Sequence, residues 1–381
     1  GVQTCALPIS DLMWYGQLGF QSVVWTQLGV KIGLWVAYAL LMALTGFVSA
    51  WLAIRARPDS ADGSTIRING DVVEVGKSVS SKTARRVAVV ISLIVGVIFG
   101  SQFNANWSEI LLMFNAQSFG TTDPQFGLDN GFYVFVLPGL KLVLAAVAML
   151  LGVGLVFSVV THVLMGGIRI TMPVNGRGLF SITKRCRRQL GIWLMLNMFA
   201  WAVRQMIGVF DQLTVQGSRI TGASYTAVHA NIPVTFIMAA LTAILGVVLG
   251  IWLMRSHTLE GQASIGVRAS AALKAWRVPV TSIAVVVVVG LVLTVAWPML
   301  LQRFRVNPNA QEMESTYIQR NIDATRAAYG LDKLKTEQYK VTDKGEQGAL
   351  AKEGDTTAQI RLLDPQVVSP TFKQLQQSKQ Y

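Results

Sequence analysis

Six apolar runs, each long enough to cross a bilayer, limit what this chain can fold into. They cover approximately 28–54, 86–104, 137–163, 189–210, 231–254 and 278–301. A helix rises 1.5 Å per residue, so a hydrocarbon core of about 30 Å takes about 20 apolar residues. Inside that core every backbone polar group must find its partner within the protein, which for runs of this length means a helix. The predicted fold class is an all-α membrane protein, a polytopic helical bundle of six spans over residues 11–301. Residues 302–381 return to an ordinary soluble composition and read as the truncated start of an extracytoplasmic α/β-type domain.

Charge orders the spans. Residues 55–86 carry seven Lys or Arg, 164–188 carry six and 255–277 carry four, whereas 105–136 carry none and 211–230 only Arg219. Basic loops stay on the cytoplasmic side, so a seventeen-to-one asymmetry predicts a multi-pass plasma-membrane protein with these three loops inside and residues 302–381 outside. The same distribution explains the net charge of +13. The basic residues sit in the breaks between spans and form no stripe interleaved with aromatics, which argues against nucleic acid as a partner. The expected partner is the bilayer itself, with anionic lipid or envelope components as further candidates. Gly96 and Gly100 form one GxxxG, and Gly246 and Gly250 another, spacings that let helix backbones approach.

The opening stretch "GVQTCALPIS" resembles translated adapter sequence, so residues 1–10, with Cys5, are expected to be a non-native leader and stand outside the fold reading. The other cysteine, Cys186, lies in a basic loop predicted to be cytoplasmic and reduced.

The stretch "SFGTTDPQFGLDNGFYVF", Ser118 to Phe135, lies between two spans and has no Lys or Arg. Just before it, Trp107, Ile110, Leu111 and Phe114 fall on one helical face, predicting a short helix in the outer interface with Trp107 at headgroup depth. Asp123 before Pro124 suits an N-cap with proline at N1. Phe132 and Tyr133 are expected to be interfacial anchors. Asp123 and Asp129, with Glu109 nearby, could instead form an external acidic cluster, because paired carboxylates can bind a cation or act as acid and base.

Polar residues within spans are candidates by default. Asn197, Arg204 and Asp211 recur every seven residues and could form one polar stripe lining a cavity; alternatively Arg204 snorkels to the interface on its long stem. No nucleotide, zinc-protease, dithiol or nucleophile-elbow motif is present, and with three histidines no metal or cofactor is expected. Beyond the last span, Met313, Tyr317, Ile318 and Ile322 make an apolar helical stripe expected to pack on a further domain or on the membrane surface. Residues 340–359 read as a linker, and "LLDPQVVSPTF" restarts ordered structure.

Five stretches in order, "SFGTTDPQFGLDNGFYVFVLP", "THVLMGGIRI", "TGASYTAVHANIP", "YIQRNIDATRAAYGL" and "IRLLDPQVVSPTFKQLQQ", resemble the large multi-span membrane proteins of actinobacteria and some cyanobacteria grouped as uncharacterised protein family 0182. The resemblance covers about residue 11 to the end. It implies seven spans and a large extracytoplasmic region, so a seventh, N-terminal span and most of the external domain are expected to be missing here. It brings no catalytic residues. Where the family often shows Asp in "GASYTD", this chain has Ala227, followed by His229.

Three functions stay open. The first is a cell-envelope scaffold presenting an external domain. The second is a transporter or channel using the Asn197, Arg204 and Asp211 stripe. The third is a membrane enzyme acting on a lipid-linked substrate through the external acidic loop, by analogy with enzymes that place acids in an early external loop. The absent catalytic motifs lean against an enzyme.

Overall fold

The structure is a computed structural model. It describes residues 12–57, 65–68, 71–74, 80–170, 180–217, 221–256, 265–338, 348, 354, 358–360 and 364–377. Residues 1–10 and most of 340–359 lie outside the described residues.

The helices long and apolar enough to cross a membrane number six among the described residues: Gln21–Arg55, Ser81–Ser101, Phe132–Leu164, Lys184–Leu213, Ala227–Arg255 and Arg277–Ala328. Each contains a predicted span or all but its last few residues. The α-helical parts are α1 (Gln21–Arg55), α2 (Ser81–Asn104), a short α3 (Trp107–Phe114), α4 (Leu137–Leu164), α5 (Lys184–Gly208), α6 (Ile232–Arg255) and α7 (Ile265–Leu291). The chain continues through α8 (Trp297–Leu301) into α9 (Ala310–Ala328). Two small antiparallel hairpins interrupt the all-α pattern. One pairs β1 (Thr65–Ile68) with β2 (Asp71–Glu74), and the other pairs β3 (Ile168–Ile170) with β4 (Phe180–Ile182). Both lie in basic connections.

Small residues make most of the closest helix contacts. The buried residues of α1 are Tyr38, Met42, Ala43, Gly46, Ser49, Ala50, Ala53 and Ile54, most of them small. Large side chains point outward instead: Val285, Val287, Val288 and Leu291 are all more than half exposed. That inversion suits a lipid surround, where apolar side chains gain little by turning inward and close packing decides the contact. Both GxxxG pairs sit at crossings. A Cβ on Gly96 would lie 2.5 Å from the Ala39 carbonyl oxygen, and one on Gly100 2.9 Å from that of Trp35, so α1 and α2 touch backbone to backbone. A Cβ on Gly246 would meet Met198 at 2.4 Å, and one on Gly250 would lie 3.0 Å from the Gly191 carbonyl oxygen, joining α5 to α6.

Four prolines shape the helix ends. Pro138, Pro233, Pro298 and Pro308 each follow, by two residues, a single π turn: Phe132–Val136, Ala227–Asn231, Val292–Ala296 and Gln302–Val306. Proline has no N–H for the carbonyl four residues back, and its ring clashes there. A π turn widens the helix at that carbonyl and lets it continue.

The last two turns carry the main difference from the sequence reading. Pro298 and Pro308 mark the expected end of a span near 301, yet helix persists from the sixth apolar run to Ala328. The expected α/β-type domain is corrected as well. The described residues of 302–381 hold helices and short turns and no strand.

The chain divides into two compact units, Gly1–Thr325 and Arg326–Tyr381. In the second, α10 (Pro365–Gln376) begins where "LLDPQVVSPTF" predicts a restart. The Asp364 side chain caps it, accepting from the Gln366 amide at 2.9 Å.

Candidate functional site

At the end of the bundle opposite the basic connections, three segments far apart in sequence form a collar. They are the loop 115–131, the turn 211–231 and the first turns of α9.

The two aspartates build the first segment. Asp129 accepts from the Ser118 hydroxyl at 2.6 Å and from the amides of Phe119, Gly120 and Gly131 at 3.0, 3.1 and 2.7 Å. The Ser118 hydroxyl, the Phe119 amide and the two glycine amides together hold its carboxyl down at about 2. Asp123, 8% exposed, accepts from the amides of Gln125, Phe126 and Leu128 at 2.7, 2.7 and 3.0 Å and from the Tyr133 hydroxyl at 2.7 Å. Burial opposes its charge, but these four donors outweigh burial and keep the carboxyl below the usual range. Asp123 does cap the residues after Pro124 as expected, but as a turn, not a helix.

Both carboxylates are thus saturated by their own loop. Glu109 stands in the first turn of α3, half-buried. Among the described residues no group of three His, Cys, Asp or Glu side chains could hold a metal ion. Asp123 and Asp129 lock the loop.

The aromatics also turn inward. Phe126, Phe132 and Tyr133 pack edge-on against Phe210, with centroids 5.0, 5.4 and 6.3 Å away. Phe132 and Tyr133 therefore pin the loop to α5's extension through protein contacts. Trp107 opens α3 as predicted, and the Lys31 ammonium sits 5.3 Å above its ring. Each aromatic pair of this kind adds about 0.5–1.5 kcal/mol beyond its buried area.

The predicted stripe on α5 does not assemble as one wall. Asn197 donates to the carbonyls of Trp193 and Leu151, at 2.8 and 3.1 Å, stitching α5 to α4. Asp211 pairs with Lys141 of α4, not with Arg204. Arg204 is exposed on the flank of α5.

Sequence reasoning missed the rest of the collar. Glu314 is 7% exposed and accepts from the Tyr225 amide at 3.0 Å. His229 stacks on Tyr225 with centroids 4.0 Å apart, and Arg305 covers that ring at 5.6 Å. Asn321 donates to the Thr221 carbonyl at 2.8 Å, and Arg320 to the Gln125 side chain at 3.2 Å. Thr226 donates to the Gln302 side chain. Two clefts of about 330 Å³ each lie among these groups. One is lined by Gln212, Ser224, Asn231, Gln302 and Glu314, the other by Asp123, Tyr133, Thr221, Tyr317 and Arg320. The available signal was the apolar stripe 313–322. Tyr317 and Ile318 of that stripe line the clefts, and Glu314 is the buried acid beside them.

Three of the five stretches that carry the family resemblance, 118–138, 221–233 and 317–331, contribute residues to the collar. The family model for the uncharacterised protein family UPF0182 matches residues 2–381. This chain belongs to that family. A UPF0182 protein of Bifidobacterium adolescentis is 77% identical over 98% of this chain and 34% of its own length. UPF0182 proteins of Kocuria rhizophila and Corynebacterium diphtheriae are 36% and 33% identical, each over 98% of this chain and 35% and 36% of their own lengths. The chain spans about a third of the length of the curated UPF0182 relatives it matches. No solved structure matches it.

Proposed function

We propose that this UPF0182 chain is the membrane part of a multi-pass plasma-membrane protein that serves as a cell-envelope scaffold. In this reading the bundle holds α9 as a strut on which an extracytoplasmic region is built. The observation that carries it is the grip on α9. Glu314, Tyr317, Arg320 and Asn321 lie on one helical face, and each meets a group of the loop 115–131 or the turn 211–231. A buried carboxylate bonded to a backbone amide fixes a helix more firmly than apolar contact alone, because sliding strands both groups. The contacts of Asn197 and Asp211 with α4 and the loop bonds of Asp123 and Asp129 fit this reading too.

Hydrogen exchange on the protein in nanodiscs tests the grip. Amides of 310–325 should be protected nearly as well as those of α6. Glu314→Ala with Asn321→Ala should speed exchange in 310–325 and leave α6 unchanged. Free exchange of 310–325 in the wild type would remove the strut.

The basic asymmetry supports placing the collar outside the cell. In a variant with Cys5 and Cys186 replaced by serine, cysteines at 62, 175 and 262 should resist impermeant reagents in intact cells. Cysteines replacing the exposed Phe119 and Val215 should react. Labelling at 175 with protection at 119 would reverse the orientation.

A further inference from the structure

The basic end of the bundle carries a feature the scaffold reading does not use. An open groove of about 350 Å³ runs between α1, α2 and α4. Its walls are apolar, among them Ile54, Val87, Ala88, Phe157, Val160 and Met165. Ala50, Ile54, Ala88 and Met165 form a packed floor, with Ala84 and Phe157 against it. Val87 and Val160 stand on the rim, 49% and 50% exposed. The floor is flat because α1 and α2 present alanines there, and a bulkier residue would fill the groove.

Cations gather at one end of this groove. Arg55 directly follows the lining residue Ile54 and lies over the Trp51 ring at 5.3 Å. Lys82, Arg85 and Arg86 are exposed on the first turns of α2, where Ala84, Val87 and Ala88 line the groove. Arg85 sits one turn before Ala88 on the same helix. No acidic residue lines the groove.

A dry trough that ends in guanidinium and ammonium groups matches one molecule in two parts. The trough accepts a hydrocarbon chain, and the cations accept a phosphate that carries net negative charge. We infer that the groove binds an anionic phospholipid, with one acyl chain along Val87, Phe157 and Val160 and the phosphate held by Arg55 and Arg85. A zwitterionic lipid offers the same chain, but its ammonium meets the cations unfavourably. A second copy of this chain would bring an apolar helix and leave the cations unmatched. This inference stands whichever way the bundle faces, because the groove and its cations share one end.

The test is native mass spectrometry of the purified chain, titrated in detergent with phosphatidylglycerol and, separately, phosphatidylcholine. Wild type should retain phosphatidylglycerol in preference. Arg55→Gln with Arg85→Gln should weaken that retention by about fivefold for each charge removed, leaving phosphatidylcholine unchanged. Both positions are exposed, so the variant should fold. Val160→Trp should fill the trough and reduce retention of both lipids. Arg188→Gln, on α5, which does not line the groove, should behave as wild type.

Equal retention of the two lipids by the wild type would overturn the inference. So would a preference that survives loss of both cations, or one that falls equally in Arg188→Gln, since either marks general surface attraction. Retention untouched by Val160→Trp would place the lipid elsewhere. Dimers abolished by Val160→Trp and indifferent to lipid would give the groove to a second copy.

Discussion

Gly96→Leu should destabilise the bundle by about 1–3 kcal/mol or more, the range for overpacking a close contact. The Cβ alone would lie 2.5 Å from the Ala39 carbonyl oxygen. That oxygen belongs to α1's backbone, so no rotamer change makes room, and α1 must move away from α2. Separation would loosen Trp35 and Ala43, which also pack at this crossing. Thermal unfolding in detergent measures the effect. Gly29→Leu is the control, because a Cβ there meets no atom within 4 Å. If the two variants melt together, α1 and α2 do not depend on this crossing.

Asp123→Ala should open the loop 115–131 at a cost of about 3 kcal/mol or more, taking about 1–3 kcal/mol for each buried donor left without a partner. Three amides and the Tyr133 hydroxyl lose their acceptor together. Asp123→Asn keeps one carbonyl oxygen and should fall between. Pepsin nicking within 115–131 at pH 4 reports the opening. Acid should reproduce it through Asp129. Its carboxyl lies at about 2 in the fold, against roughly 3.9 for an unfolded aspartate. Its contribution is therefore complete above about pH 4 and is lost as pH falls toward 2. Nicking at equal rates in wild type and Asp123→Ala would mean that the aromatic contacts to Phe210 hold the loop alone.

Residues that act through composition were readable from the sequence, and residues that act through meeting were not. The six spans follow from run length, because a bilayer sets one scale for all of them. The GxxxG pairs fell at crossings because only missing side chains permit that approach. Arg204, Asn197 and Asp211 share a helical face every seventh residue, but spacing on one helix does not say what stands opposite. Lys141 stood opposite Asp211, and Leu151's carbonyl opposite Asn197. Likewise Asp123 and Asp129 read as parts of a folded cap or, less directly, as an acidic cluster, because spacing within a loop does not say which donors each carboxylate meets. The continuation of helix beyond the last apolar run was not readable, because proline normally stops a helix and the widening that lets it pass at 298 and 308 leaves no trace in local propensity.

Those two π turns also set a phase. Each holds one residue more than the α-helical turn it replaces, which rotates everything beyond it by about 100° about the helix axis. Together, Val292–Ala296 and Gln302–Val306 under-wind the chain by about 200°, and the 3-10 turn Asn307–Asn309 over-winds it by about 60°, so the face of α9 is offset by about 140° from that of a regular helix. Glu314, Tyr317 and Asn321 look at the collar because of that offset; on a regular helix the same residues would look largely away from it. The prolines thus work like the teeth of a coupling, fixing the angle at which one shaft engages the next. Deleting one residue between 292 and 301 would keep every residue of the collar and still disengage the strut.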